Sequence, residues 1–238
     1  MNGLDLLTFG TEQYRIGSWR GHHDTGYLAP LTAPEHISRA GLDRARERLA
    51  RRGYRRVLTA ALTAAEQSVF HSAGFTVHER LHLLRHDLVE LPPVEHNGFR
   101  LRRGYRWDRR QILAVDHEAF DPFWRLDPTS LTEAVQATPV TRVRVAIDGG
   151  IVGYAITGHA GDMGYLQRLA VAPSHQGRGI ATALVRDALE WLRSRNATAA
   201  SVNTQEANQR ALSLYEHTGF ARVEPGLAVL RCELDTRS

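Results

Sequence analysis

A glycine-bearing segment that joins a strand pattern to a helix pattern has the residue types of a phosphate-binding loop. The apolar run Met163–Ala172 ends at Pro173, and Gln176–Gly179 then lead into a helix predicted over Ala181–Arg195. Glycines let a ligand approach the backbone closely, and the first N–H groups of a helix have no partner within it. The segment therefore predicts a site for a pyrophosphate group, with a glycine turn that binds nothing as the alternative.

Two motifs in this region resemble those of the GNAT (GCN5-related) N-acetyltransferases. The family's acyl-CoA motif, Gln or Arg followed by x-x-Gly-x-Gly/Ala, is matched by Gln176, Gly179 and Ala181. The motif Asn-x-x-Ala-x-x-x-Tyr-x-x-x-Gly-Phe is matched by Asn208, Ala211, Tyr215, Gly219 and Phe220. The resemblance covers residues 98–236, the size of one complete domain of this type.

The resemblance implies acetyl-CoA as the acyl donor and no metal. In the family, the backbone of Leu169 and Val171 pairs with the pantetheine arm like an added strand, and the N–H of Val171 faces the thioester carbonyl. Asn208 hydrogen-bonds the cofactor or, alternatively, caps its own helix. The cofactor-binding set is then Leu169, Ala170, Val171, Gln176, Gly177, Arg178, Gly179, Ile180, Ala181, Asn208 and Tyr215.

Acyl transfer from a thioester to an amine needs a proton donor for the departing thiolate and a base for the amine. The resemblance gives the first role to Tyr215, whose alternative role is to pack its helix on the sheet. No residue stands out as the base. Glu118, in a segment that corresponds to the family's acceptor-lining helix, is the leading candidate, with an exposed, inert carboxylate as its alternative. The other candidates are Asp121, His159 and Gln167. The predicted acceptor-binding residues are Phe120, Asp121, Phe123, Trp124 and His159, although the aromatic ones fit a core position equally well.

Strand and helix patterns alternate along the chain, which predicts an α/β (α+β) fold with a central mixed sheet flanked by helices, the GNAT acyl-CoA N-acyltransferase fold. Asp148, Gly149 and Gly150 lie between two alternating apolar runs and predict a hairpin.

The first ninety residues contain a partial repeat of the same fold. Thr59–Leu88 matches Val202–Leu234, with Gly74 and Phe75 at the positions of Gly219 and Phe220. Nothing before Leu42 matches the third strand and the glycine loop, so this copy is expected to bind no cofactor. Two prolines and Asn-Gly in Leu91–Gly98 place the junction there, giving a degenerate partial domain over 1–92 and a complete one over 93–238.

The composition limits the function further. The 238 residues contain no lysine, which excludes Schiff-base and Walker-type phosphate chemistry. No apolar stretch is long enough for a membrane span, and the first residues lack the basic and apolar regions of a secretory leader. The single Cys232 fits a reducing compartment, so a cytoplasmic protein is expected. His78, His82 and His86 lie on a predicted strand, about 13 Å apart at four-residue steps, which is too far to share a metal.

A net charge of +4 and a pI near 9.6 would permit nucleic-acid binding. The arginines, including the run from Arg100 to Arg110, are interleaved with apolar residues, which favours solvated faces over a nucleic-acid partner.

The leading hypothesis is an N-acetyltransferase that moves an acetyl group directly to a primary amine in a ternary complex. The acceptor, a small molecule or a protein N-terminus, and a homodimer are left open. The rival hypothesis is a non-catalytic CoA-binding or scaffolding protein with the same fold.

Overall fold

In the computed structural model, which describes residues 3–91, 93 and 98–234, eleven strands are interspersed with six helices. The strands are β1 (Asp5–Phe9), β2 (Glu12–Ser18), β3 (Thr25–Pro30), β4 (Arg56–Leu62), β5 (Thr76–His86), β6 (Arg100–Arg103), β7 (Val140–Ile147), β8 (Ile151–Ala160), β9 (Met163–Val171), β10 (Ala199–Gln205) and β11 (Ala221–Glu233). The helices are α1 (Arg39–Ala50), α2 (Ala64–Ser72), α3 (Arg109–Ala119), α4 (Pro128–Gln136), α5 (Ile180–Ser194) and α6 (Gln209–His217).

Contacts group the described residues into two units. The N-terminal unit takes its residues from 1–82 and 224–238, and the C-terminal unit is 83–223. A single division at residue 92 would place 83–91 in the N-terminal unit and 224–238 in the C-terminal unit, whereas the contacts place each in the other unit. Strands β5 and β11 each contain residues of both units. Most of the predicted junction, 92 and 94–97, lies outside the described residues, and the predicted division stays a prediction.

The N-terminal unit is built on a meander followed by a crossover. Strands β1, β2 and β3 pair antiparallel in sequence order, and α1 then leads to β4, which pairs parallel with β3. Helix α2 begins with a capping box between Thr63 and Glu66. The core of the N-terminal unit contains Tyr14, Leu28, Leu42, Val57 and Phe70, all less than 1% exposed.

The expectation that this copy lacks the third strand was wrong. Strand β3 pairs with β4 from Thr25↔Arg56 to Leu28↔Thr59, in the same arrangement as β9 and β10 of the other unit. It went unrecognised because Thr25–Pro30 is short and contains glycine and proline, which weaken a strand pattern. The copy is still partial, because no described element before β1 corresponds to β6, α3 and α4.

The C-terminal unit has the strand order β10-β9-β8-β7-β6. Strands β6 to β9 are antiparallel neighbours, whereas β10 is parallel to β9 after the crossover through α5. Asp148 and Gly150 close the β7–β8 turn by a 2.9 Å backbone hydrogen bond, which confirms the predicted hairpin. The mixed sheet with its helices confirms the predicted fold class.

Helix α5 carries the widest apolar face of this unit. Its buried side chains, which include Leu184, Val185 and Leu189, pack with Ala155 and Leu166 of the sheet. A second core lies under α3 and α4 and contains Ile112, Val115, Leu131, Tyr154 and Ile156. The sheet is therefore covered on both faces, as the strand-helix alternation predicts.

Three smaller expectations can be compared directly. The sequence also predicts two closing strands, Phe220–Glu224 and Leu227–Leu234, and in the structure they form one strand, β11. His78, His82 and His86 lie on β5, as predicted. Among the helices of the described residues, none is both long and apolar enough to cross a membrane.

Candidate active site

The loop between β9 and α5 leaves the N-terminus of α5 open. Gly177 and Gly179 have φ values of +79° and +76°, and a Cβ atom added to either would meet nothing within 4 Å. Gly179 is the N-cap residue, and among the described residues no side chain accepts a hydrogen bond from the first turn of α5. The first N–H groups of the helix thus face open space, which suits an anion.

The flanks of this loop are held by side chains. Gln176 Nε2 donates to the Val171 carbonyl at 2.9 Å, and Gln176 Oε1 accepts a short hydrogen bond from Arg210 of α6. Arg178 forms an ion pair with Asp148 of the β7–β8 turn at 2.8 Å. These contacts fix the loop while its glycines stay uncovered.

Strands β9 and β10 separate beside this loop. They pair only from Ala199↔Met163 to Ser201↔Tyr165, although β9 continues to Val171 and β10 to Gln205. The N–H of Ala172 donates to Val152 on the β8 side at 2.8 Å. Because successive N–H groups of a strand point to opposite edges, the N–H of Val171 points into the gap.

A β-bulge at Gln167 sets the side chains of β9 at this gap. Ile156 pairs with Arg168 but Thr157 pairs with Leu166, so Gln167 is the extra residue. A bulge shifts the alternation of side chains by one position. As a result Arg168 points toward α3.

Arg168 is bound by Asp116 of α3. Its Nε and Nη2 donate to the two carboxylate oxygens at 2.8 and 3.0 Å, and Nη2 also donates to the Trp124 carbonyl at 2.8 Å. The guanidinium lies over the Phe120 ring, 3.4 Å from its centroid. Arg168 thus connects β9 to the segment that follows α3.

The Asp116 carboxylate is completely buried and fully hydrogen-bonded. Besides Arg168 it accepts from the Tyr154 hydroxyl at 2.5 Å and from the Leu126 N–H at 2.7 Å. Burial raises the pKa of Asp116, but the hydrogen bonds and charge of Arg168 and the other two donors together hold it below its ordinary value. Burial also raises the pKa of Tyr154. Asp116 is therefore an ionised, ion-paired group.

Tyr215 of α6 is 6% exposed and contacts the Phe220 ring edge-on at 5.7 Å. Burial raises the pKa of Tyr215. The positive charge of Arg168 acts in the opposite direction, so Arg168 influences the Tyr215 hydroxyl electrostatically. Among the described residues no group forms a hydrogen bond with the Tyr215 hydroxyl. It is a protonated phenol at neutral pH, able to donate.

The predicted acceptor-binding residues are only partly brought together. Phe120 and Trp124 both contact Arg168. Phe123 packs edge-on against Trp124 at 5.4 Å, and Asp121 is exposed and accepts from the Phe123 N–H at 3.0 Å. His159 pairs with Gly164, whose missing Cβ would meet Leu192 of α5, so His159 lies on the opposite face of the sheet from Arg168.

Glu118 is predicted as the base and Asn208 as a cofactor ligand, and the structure shows where each side chain lies. Glu118 is exposed in the last turn of α3, whereas the buried face of that helix carries Asp116. Asn208 caps α6 by accepting from the Ala211 N–H at 3.0 Å, which is the alternative role that the sequence offers. Neither position is tested for the predicted role, and both roles stay predictions.

The N-terminal unit contains a counterpart of the glycine loop. Ala33-Pro34-Glu35-His36 forms a 3₁₀ turn like that of Ala172-Pro173-Ser174-His175, with the same hydrogen bonds. Here the helix N-terminus is filled by the protein itself: Ser38 Oγ accepts from the Gly41 N–H at 3.0 Å, and Glu12 accepts from both the N–H and the hydroxyl of Ser38. A Cβ on Gly41 would overlap the Glu12 carboxylate.

Several residues of the site were missed by sequence reasoning. Asp116, Tyr154 and Arg168 form the buried polar cluster, and its one signal is an arginine inside the apolar strand Met163–Val171. The repeated Ala-Pro-x-His was the signal for the N-terminal loop.

Comparison with known proteins identifies the family. Residues 104–220 match the family model described as the Acetyltransferase (GNAT) family. N-alpha-acetyltransferase 30 of Schizosaccharomyces pombe is 37% identical over 59 residues, which are 25% of this chain and 39% of that protein. Streptothricin acetyltransferase of Streptomyces lavendulae is 33% identical over 94 residues, 37% of this chain and 48% of that protein. The chain thus spans less than half of the length of these relatives.

A solved structure extends the likeness to the whole chain. A tandem GNAT protein from the clavulanic acid biosynthesis pathway superposes with a TM-score of 0.72 at 14% identity, covering 100% of this chain and 85% of its own. This likeness concerns the fold alone. Residues 104–220 therefore form a domain of the GNAT acetyltransferase family, and the N-terminal unit fits a partial second copy of that fold.

Proposed function

We propose that the C-terminal unit transfers an acetyl group from acetyl-CoA to a primary amine, directly and in a ternary complex. The observation that carries this proposal is the juxtaposition of three features: the open N-terminus of α5, the gap between β9 and β10, and the buried phenol of Tyr215.

The residues present fit acetyl-CoA. The glycines of the loop leave room for a pyrophosphate at the N–H groups of α5, and the unpaired edge of β9 offers backbone groups to an extended arm. When bound, acetyl-CoA supplies an activated acyl group as a thioester.

Tyr215 and Val171 supply the polar groups that acyl transfer needs. The N–H of Val171, directed into the gap, can donate to an oxygen that becomes negatively charged. The Tyr215 hydroxyl keeps its proton at neutral pH because burial raises its pKa, so it can donate a hydrogen bond to a thiolate that forms beside it.

The base that deprotonates the amine is not Asp116. Its carboxylate is paired with Arg168, and its pKa is held below the ordinary value, so it has little affinity for a proton. Glu118 remains the proposed base, and its exposed position allows an alternative in which solvent takes the proton.

The acceptor is proposed as a primary amine of either of two kinds. The names of the relatives, an N-alpha-acetyltransferase and a streptothricin acetyltransferase, favour testing a peptide N-terminus and a small-molecule amine together. We also propose a cytoplasmic location and a homodimer for this protein.

The experiment is an acceptor screen that follows thiol release from acetyl-CoA. The panel contains short peptides with free N-termini, aminoglycosides, streptothricin and polyamines, each run with the wild type, Gly179→Glu and Gly161→Glu. Gly161 has φ +60° and, like Gly179, nothing within 4 Å of an added Cβ, so it is a matched control outside the loop. We expect release with the wild type and Gly161→Glu only. CoA binding without release for any amine would instead support the non-catalytic rival.

A further inference from the structure

Strand β7 has an open edge at its beginning. It spans Val140–Ile147, but β6 pairs with it only from Arg103↔Arg144 to Arg100↔Ile147. Beyond β6, the Gly104 N–H still donates to the Val143 carbonyl at 2.9 Å. No strand among the described residues lies beside the preceding residues of β7 on this edge.

A groove of about 510 Å³ lies along this edge. Its apolar floor includes Ile112, Leu131 and Val143. Its charged lining consists of arginines from five parts of the fold: Arg103, Arg106, Arg109, Arg142, Arg144 and Arg195. No aspartate or glutamate is among the described residues that line it.

Most of this positive charge is not neutralised. Arg142 and Arg144 share one carboxylate, that of Asp187, at 3.0 and 2.7 Å. Arg103, Arg106, Arg109 and Arg195 are exposed, and none forms an ion pair with a described residue. Like charges held this close favour an anionic ligand, because such a ligand relieves their mutual repulsion.

Two aromatic side chains stand beside the arginines. The rings of Tyr105 and Trp107 stack at 4.6 Å with an interplanar angle of 15°, and Trp107 is 75% exposed. Tyr105 lines the groove, and Arg102 lies over its ring at 5.8 Å. One face of the stack is therefore free to take another flat ring.

We propose that this groove binds single-stranded nucleic acid. The arginines contact the phosphates, and a base extends the stack on Trp107, which is the combination of contacts that single-strand binding uses. An acidic peptide would satisfy the charges but would leave the exposed stack without a partner. The sequence disperses these arginines over residues 103–195, and only the tertiary structure gathers them.

The groove is separate from the proposed acetyl-CoA site. The loop before α5 is tied to Asp148, next to the last residue of β7, whereas the groove lies at Val140–Arg144. An eight-residue strand is about 23 Å long between its end residues, so the two sites lie at opposite ends of β7.

The test is fluorescence anisotropy with a labelled single-stranded oligonucleotide of about 12 nucleotides, titrated at several salt concentrations. Three variants are compared with the wild type: Arg106→Ser with Arg109→Ser, Trp107→Ala, and the control Arg48→Ser with Arg51→Ser. The control removes the same charge from exposed positions in and next to α1. Thermal melting checks that each variant is folded. We expect all three variants to fold, because the replaced side chains are exposed.

We expect the paired groove variant to weaken binding and to reduce the salt slope of log K by about 1.4, the loss of two phosphate contacts. Trp107→Ala should weaken binding about tenfold. The control pair should leave the slope closer to that of the wild type. Equal losses in the groove and control variants, no effect of Trp107→Ala, or equal competition by a polyglutamate peptide would each overturn the proposal.

Discussion

Arg168 of β9 and Asp116 of α3, which lie 52 residues apart in the sequence, form a bidentate ion pair. The Asp116 carboxylate has no exposure to solvent. The pair connects the strand that borders the proposed thioester position to the helix on the acceptor side. A buried pair of this kind depends on both members, because either one alone is a desolvated, uncompensated charge.

The first prediction concerns that dependence. Asp116→Asn and Arg168→Met should each lower the free energy of unfolding by about 3–5 kcal/mol, whereas the double variant should lose much less than the sum. Denaturant titrations of the four proteins measure this. Additive losses would show that the two side chains contribute independently.

The second prediction concerns the glycine loop. Gly179→Glu should weaken CoA binding at least about 100-fold, because it places a carboxylate where the α5 N–H groups would face a pyrophosphate. Isothermal calorimetry measures the affinity, and Gly161→Glu should match the wild type, since it carries the same charge and a similar positive φ. An unchanged affinity for Gly179→Glu would remove the loop from the proposed site.

The third prediction separates chemistry from binding. Tyr215→Phe should lower kcat about 100-fold, because the proton donor is lost while the ring still packs on Phe220. The Kd for CoA should stay within about twofold of the wild type. Because burial raises the pKa of Tyr215, the wild type should show no loss of kcat from this group up to about pH 10. Full turnover by the variant would make Tyr215 a packing residue only.

The fourth prediction is a pH dependence of stability. His86 is 2% exposed, its Nδ1 accepts from the Leu88 N–H at 2.8 Å, and burial lowers its pKa. A lowered pKa gives stability that is complete above the unfolded value near 6.5. That stability is lost as pH falls below it, with a slope of up to about 1.4 kcal/mol per pH unit.

His86→Asn, which keeps an acceptor near the Leu88 N–H, should flatten this dependence. Burial also lowers the pKa of His78, which has the same sign of effect, so the difference between wild type and variant isolates His86. Parallel stability curves from pH 5 to pH 8 would contradict the assignment.

The fifth prediction is the stoichiometry of CoA binding. The N-terminal copy has its helix N-terminus occupied by Ser38 and Glu12, so one CoA should bind per chain. Gly179→Glu should abolish that single equivalent, as followed by calorimetry. Two equivalents in the wild type, or one left in the variant, would show that the N-terminal loop binds CoA despite Glu12.

Local patterns in the sequence were sufficient for the features that depend on neighbouring residues. The glycine loop before α5, the Asp148–Gly150 hairpin and the motif around Tyr215 each combine a turn or cap signal with an adjacent periodic segment. The type and approximate place of such elements follow from backbone preferences over a few residues. The family resemblance added the roles of individual residues to these local features.

The tertiary structure decided what depends on register and on distant contacts. A single extra residue, Gln167, directs Arg168 toward Asp116, and no strand pattern specifies where such a bulge falls. The N-terminus of α5 is open, whereas that of α1 is covered by the Glu12 carboxylate. This difference depends on a side chain of β2, which lies far from α1 in the sequence. The arginine groove arises because β6 is shorter than β7, and strand pairing brings together charges that the sequence separates.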